Sequence, residues 1–349
     1  MNSEIRFFLG ANSGNNFVTY FKELQRQNCS MQLLIFKGGP GSGKSSLMKK
    51  VLSVAENLGH VTEAIACASD PNSLDAIIDH TASFAMMDGT APHVEDPRLP
   101  GALQHIVYTG DMWDTDMLFE NRKDIERLTG EVSLCHRGAG SYIQGAVSLL
   151  AENIRCAETA LRKREALSFA EKIIGKLRGE GSGRTAKRLL SAVSVGEIKL
   201  FSETPFAFAD EVYVLEDSIG AAADYVLKSI AFGAKMKGEN LIYCPCSVMP
   251  KKCDHIIFPD SRIAVVTQNK FMKFRNGEPV SMDSFYKPLS LQEDTDRRRE
   301  DASHLLLEAA RLIKKAKDIH DDLEAFYINA MDFSKSDTIL EGIISRFYA

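Results

Sequence analysis

The residues with the clearest chemical content are Gly38-Gly39-Pro40-Gly41-Ser42-Gly43-Lys44-Ser45, followed by Ser46. Their spacing is G-x-x-x-x-G-K-[ST], the Walker A phosphate loop. Glycines let a backbone wrap closely around an anion. Successive N–H groups then form a concave nest, and a following helix adds the partial positive charge of its N-terminus. In such a loop Lys44 reaches the β- and γ-phosphates of a nucleoside triphosphate, and the Ser45 hydroxyl ligates Mg2+. A glycine-rich turn with a chance lysine is the competing account. The context argues against it: the apolar run Leu33–Phe36 leads in and Ser46–Leu52, at helical spacing, leads out.

A second group follows. Ser83–Met87 reads as an apolar strand and ends in Asp88-Gly89. An acid at that place, downstream of a phosphate loop, is the Walker B carboxylate that holds Mg2+. The glutamate that often follows as a hydrolytic base is replaced by Gly89. His93, Glu95 and Asp96, in the loop Thr90–Pro97, are the groups left to orient water or a second substrate, because the loop leaves the carboxyl end of a strand. A loop histidine bonded to backbone explains His93 equally well. The expected catalytic set is Lys44, Asp88, Glu95 and His93. The expected nucleotide-binding set is Gly38 through Ser46, and the metal set is Ser45 and Asp88.

Elements must position these groups. Phe7–Leu9 reads as a strand, Gly10–Gly14 as a turn, and Phe17, Tyr20, Phe21 and Leu24 as a helix face. Beyond the phosphate-loop helix, Val61–Ala68 reads as a strand, Asp70–Ser73 as a turn and Ala102–Tyr108 as a further strand. Leu118, Ile125, Leu128 and Val132 share one helical face, and Ile143 to Leu161 form a second stripe. Gly138-Ala139-Gly140 between them predicts the tip of a helical hairpin. Gly179–Gly183 reads as a linker, with Arg184, Lys187 and Arg188 on a short helix beyond it.

The second half repeats the first at an offset of 179 residues without gaps. Ile35-Phe36 meets Val214-Leu215, Gly41 meets Gly220, Cys67 meets Cys246, and Phe84–Met87 meets Ile263–Val266. The chemistry is not repeated. Gly38 faces Asp217, Gly43 faces Ala222, Lys44 faces Ala223, Ser45 faces Asp224 and Asp88 faces Thr267. Two acids then sit where phosphates would lie and repel them, so the second half is expected to bind no nucleotide and to serve structure or regulation. The fold class that follows is α/β: two P-loop NTPase-type three-layer modules with mostly parallel sheets, each with a helical-hairpin appendage, the second module degenerate. The domains are then 1–180, with its appendage near 111–178, and 181–349, with C-terminal helices near 290–347.

Other groups are weaker. Cys244, Cys246, Cys253 and His255 have the donor types zinc takes, against the commoner account of buried free thiols. Arg184, Lys187, Arg188, Arg262 and Arg275 are each candidates for an arginine finger and, singly, better explained as surface charge. Seven cysteines in 349 residues do not make a disulfide framework, and the net charge of −5 gives nucleic acid no electrostatic footing. There is no secretory leader pattern and no apolar run near the ~20 residues a membrane helix needs. The expected setting is cytoplasmic.

Phe8–Asn12 ahead of Lys37–Gly41, with Asp88–His93, Asp96-Pro97 and a second P-loop-like half, resembles a group of uncharacterised bacterial tandem P-loop ATPases found in Firmicutes. The resemblance covers nearly the whole chain and implies a P-loop fold and ATP binding, with no known substrate. In those relatives the second half often keeps its phosphate loop; here it does not. The expected function is Mg·ATP binding with slow or partner-stimulated hydrolysis, the helices reporting nucleotide state to a protein partner or to the second half. The alternatives are a small-molecule kinase using the 90–97 loop as acceptor site, and a non-hydrolysing ATP-binding scaffold.

Overall fold

The computed structural model describes residues 5–14, 17–27, 31–179, 181–288 and 292–348. The run Leu33–Phe36 is apolar at every position because its strand, β1 (Gln32–Lys37), is central and covered on both faces. The Gly38–Gly43 loop leads to α1 (Lys44–Asn57), which buries Leu47, Met48, Val51, Leu52 and Ala55 on one stripe. β2 (Thr62–Cys67) and β3 (Asp70–Asp79) follow as an antiparallel pair, then β4 (Phe84–Asp88) and β5 (Gln104–Tyr108). The strand order is β2-β3-β4-β1-β5, with β4, β1 and β5 mutually parallel. The turn expected at Asp70–Ser73 lies one step earlier, at Ala68-Ser69. Asp70 still makes the turn-type bonds, accepting from Asn72 N–H and Ser73 Oγ, but within an irregular stretch of pairing.

α2 (Arg122–Glu158) runs unbroken through Gly138–Gly140, where a hairpin tip was expected. A helical glycine costs about 1 kcal/mol relative to alanine, which burial of Leu128, Cys135, Ala139, Ile143 and Ala146 along the same helix outweighs. Gly138 admits a close neighbour: a Cβ there would lie 2.9 Å from Leu312 Cδ1. The reversal comes at Thr159-Ala160, ahead of α3 (Lys163–Lys176).

The copy consists of β6 (Thr185–Lys187), β7 (Glu211–Glu216), α4 (Ala221–Met236), β8 (Leu241–Pro245), β9 (Cys253–Phe258), β10 (Ile263–Gln268) and β11 (Glu278–Ser281). Its order is β6-β8-β9-β10-β7-β11. The gapless repeat appears as identical register: Leu33 is paired with Ala85 and Val212 with Ala264. Likewise Glu63 is paired with Ile78 and Ile242 with Ile257. Both sheets are mixed: β1 and β7 pair in parallel with both of their neighbours, while β3 and β9 pair antiparallel with theirs. Arg184, Lys187 and Arg188 lie on or beside the edge strand β6, not on a helix, because β8 offers a free edge with which Thr185–Lys187 pairs. The expected linker is tied down. Gly179 N–H bonds Glu239, the Ser182 and Arg184 N–H groups bond Asn240 Oδ1, and Gly183 N–H bonds the Gly238 carbonyl. Glu180 lies outside the described residues.

The last helices are α5 (Gln292–Asn329) and α6 (Ser334–Phe347). The chain divides into two compact units, and the division does not follow the linear halves 1–180 and 181–349. One unit takes 19–139, 194–196 and 311–349; the other takes the described residues of 1–18, 140–193 and 197–310. The reason is where amphipathic helices find apolar partners. In the first unit Ile343 of α6 joins the core of Leu47, Val51, Ile77 and Phe84, and the Phe347 ring stacks on Phe84 at 3.9 Å. In the other, Ala166, Ala170 and Ile173 of α3 join Leu227, Ile230 and Ala234 of α4. The N-terminal residues Phe7 and Phe8, expected to lead into the first module, meet Phe208 and Phe201 in this second unit. Here Gly10–Asn12, expected as a turn, is a short strand. Among the described residues, no helix is long and apolar enough to cross a membrane.

Candidate functional site

Register places the two chemical groups side by side. β1 and β4 are parallel with Phe36 opposite Asp88, so Asp88 ends its strand beside the start of the Gly38–Ser45 loop. The loop needs its glycines. Gly41 and Gly43 have φ of +67° and +78°, and a Cβ on Gly38 would lie 1.9 Å from Thr109 Oγ1.

Within this loop Lys44 Nζ donates to the carbonyls of Gly39 at 2.7 Å and Gly38 at 3.0 Å, and to Ser42 Oγ at 3.3 Å. Ser42 Oγ in turn donates to Gly39 O at 2.9 Å. Asp88 Oδ2 lies 3.6 Å from Lys44 Nζ. The other carboxylate oxygen, Oδ1, accepts the N–H and hydroxyl of Thr90 at 2.9 and 2.6 Å. Thr90 therefore orients Asp88, a role that only the tight Asp-Gly-Thr geometry reveals. Ser45 Oγ accepts the Leu74 N–H at 2.9 Å. Pro40 is half-buried and Ser46 lies exposed in the first turn of α1.

His93 and Glu95 are held in other contacts. His93 is buried, with Nε2 3.2 Å from Asp75 Oδ2 and its ring 4.5 Å from that of Phe21. Glu95, also buried, accepts from Gln25 Nε2 at 3.3 Å. Lys37 fastens the 89–96 stretch, donating to Gly89 O at 2.8 Å and pairing with Asp96 at 3.0 Å. Of the four expected catalytic side chains, Lys44 and Asp88 come together.

One partner of the loop was not legible in the sequence. Glu324 of α5 accepts the Gly41 N–H on Oε1 at 3.3 Å. Trp113 and Tyr327, with rings 5.5 Å apart, approach Gly39, and Phe333 approaches Gly43. Glu324, Tyr327 and Phe333 are more than 280 positions from the glycines they approach and Trp113 lies in an extended segment about 70 positions on, so no local pattern marks them. Glu324 also belongs, with His320 and Asp321, to the single group of metal-capable side chains among the described residues. Cys244, Cys246, Cys253 and His255 do not form such a group. Cys253 Sγ faces backbone carbonyls, and burial pushes both thiols up, that of Cys246 to about 12. Arg262 is engaged bidentately by Asp210.

The equivalent loop of the second unit is built differently. α4 starts at Ala221, two positions earlier than α1 in the repeat frame, after Gly220 at φ +89°. The Asp217 carboxylate takes the donors a phosphate would need: N–H of Ile219 at 3.0 Å, Gly220 at 2.7 Å and Ala223 at 2.9 Å. The Tyr286 hydroxyl donates to the same carboxylate and accepts the Ala222 N–H at 2.7 Å. Beyond the negative charge read from the sequence, the structure shows an internal carboxylate occupying the N–H groups of this loop. Asp224 does not face the nest; its Oδ1 accepts the Cys253 N–H at 2.8 Å.

No protein-family model, curated protein or solved structure matches this chain.

Proposed function

We propose that the first unit binds Mg·ATP at Gly38–Ser46 and hydrolyses it slowly or on partner stimulation, and that the second is a pseudo-module that binds no nucleotide. The supporting observation is the convergence of Lys44 with Asp88 at the ends of two parallel strands, on a loop whose conformation requires glycine. In this reading Lys44 exchanges its carbonyl and Ser42 contacts for the β- and γ-phosphates, and the loop N–H groups hold the rest.

The donor set suits magnesium. A hydroxyl and a carboxylate are hard oxygen ligands, and Mg2+ completes its octahedron with water and phosphate oxygens. Ser45 keeps its hydroxyl proton and a lone pair beyond the bond to Leu74, and Asp88 Oδ2 is free of the Thr90 bonds. Those two residues would hold the ion, which would neutralise charge on the phosphates. His93 and Glu95, both buried in other contacts, shape the 90–97 loop in this reading and do not act on a water or an acceptor. That disfavours the kinase alternative.

The test is calorimetric titration of ATP with Mg2+ into wild type and Lys44→Ala, followed by phosphate release over hours. Binding by wild type weakened at least about tenfold in the variant, equivalent to about 1.4 kcal/mol, is expected. Equal affinity in the two proteins would overturn the assignment.

A further inference from the structure

The second unit has a cavity of about 300 Å³ at the place where the first has its phosphate-loop chemistry. It is lined by Asp217, Gly220, Cys246, Asp254 and Thr267, which the repeat equates with Gly38, Gly41, Cys67, Asp75 and Asp88. Val248, Met272 and Leu306 supply apolar wall. The volume is at the lower end of ligand pockets, about 300–1,000 Å³. At about one water's share of liquid volume for each, it accommodates roughly ten non-hydrogen atoms.

The buried charges around it are already answered, and Lys270, at its exposed rim, lies with its ammonium near the Phe271 ring. Lys252 is buried and paired with Asp254; burial opposes its charge, yet the carboxylate keeps its pKa above the ordinary lysine value. Asp217 has three backbone donors and the Tyr286 hydroxyl. Arg299 pairs with Asp296 at 2.8 Å. One polar group is not answered. Thr267, 1 % exposed, lines the cavity with an Oγ1 that has no hydrogen-bond partner. A buried hydroxyl without a partner costs free energy, and Thr267 stands in the position of the acid in the intact unit.

We infer that the second unit has kept the location of the ancestral site and changed its ligand: the cavity binds a small, uncharged, mainly apolar molecule through one hydroxyl or carbonyl bonded to Thr267. The filled nest excludes polyphosphates, and the buried charges, Lys252 with Asp254 and Asp217 with its donors, are answered within the protein. This assignment does not depend on nucleotide binding by the first unit.

The test uses the full chain with 4-propylphenol as probe and propylbenzene as its analogue lacking the hydroxyl, binding being measured by calorimetry and ligand-detected NMR. Wild type is expected to bind 4-propylphenol saturably. Thr267→Val is expected to lose about tenfold in affinity for it while binding propylbenzene unchanged. Met272→Trp, which fills the cavity from its wall without touching the Asp217 network, is expected to bind neither. Failure of wild type to bind either probe, binding retained in Met272→Trp, or equal affinity for 4-propylphenol in wild type and Thr267→Val would each overturn the inference. Displacement of 4-propylphenol from the cavity by ATP would overturn its uncharged character.

Discussion

The hydroxyl of Ser45 accepts the backbone N–H of Leu74 at 2.9 Å, tying the start of α1 to β3. At the same offset in the copy, Asp224 Oδ1 accepts the Cys253 N–H at 2.8 Å. On the proposed reading Ser45 therefore has two jobs, and they separate. The structural bond survives a change from hydroxyl to carboxylate. The proposed metal ligand loses its companions, since Ala223 and Thr267 stand in the positions of Lys44 and Asp88.

Removing the acid tests the metal half. Asp88→Asn keeps an oxygen for Thr90 but lowers the charge available to a cation. ATP affinity in EDTA is expected to stay within about twofold of wild type, and the tightening on adding Mg2+ is expected to fall by about tenfold. Calorimetry with and without metal reads both numbers, and an unchanged magnesium increment would remove Asp88 from the site.

Glu324 offers its carboxylate to the same N–H of Gly41 that an anion would use. A ligand must displace it and overcome its negative charge. Glu324→Ala is expected to tighten ATP binding about tenfold, on the scale of one charged hydrogen bond, about 1.5 kcal/mol. Weaker binding in this variant would show instead that Glu324 supports the loop.

The helix α6 packs into the core of the first unit. Phe347 stacks on Phe84, and Ile343 is 5 % exposed. Phe347→Ala and Ile343→Ala are each expected to cost about 2–4 kcal/mol, read as a lower urea midpoint for the first unit's transition. Loss of ATP affinity should accompany it, because α1 packs against the same helix. A midpoint unchanged in both variants would mean that α6 does not stabilise this unit.

Burial lowers His255 from 6.5 to about 4, with Asp254 opposing the shift. Its Nδ1 accepts the Thr267 N–H at 3.2 Å, which requires the neutral ring. The unfolded chain takes up this proton first as pH falls below about 6.5, so stability is full above that value. It is lost down to about pH 4, by up to about 3 kcal/mol. His255→Gln is expected to flatten that part of the pH–stability curve measured by urea unfolding between pH 7.5 and pH 4.5. An unaltered slope would assign the acid lability to other groups.

Local pattern in the sequence determined a good deal of this protein. An eight-residue motif needs only near neighbours to form, so the strand, loop and helix around Gly38–Ser45 were legible, as was the strand ending in Asp88. The repeat was legible because β-pairing register follows the apolar pattern, and the register of the two sheets is the same. Tertiary structure decided the rest. Whether Gly138–Gly140 breaks a helix depends on packing along its whole length and not on the glycines alone. Which module an amphipathic helix joins depends on which apolar face remains uncovered, so α3 and α6 went to units that sequence order does not suggest. Glu324 reaches Gly41 across 283 residues, and Asp217 fills a nest that composition could only describe as negatively charged. Contacts of that kind arise when distant faces are brought together to bury apolar surface, and no spacing in the chain encodes them.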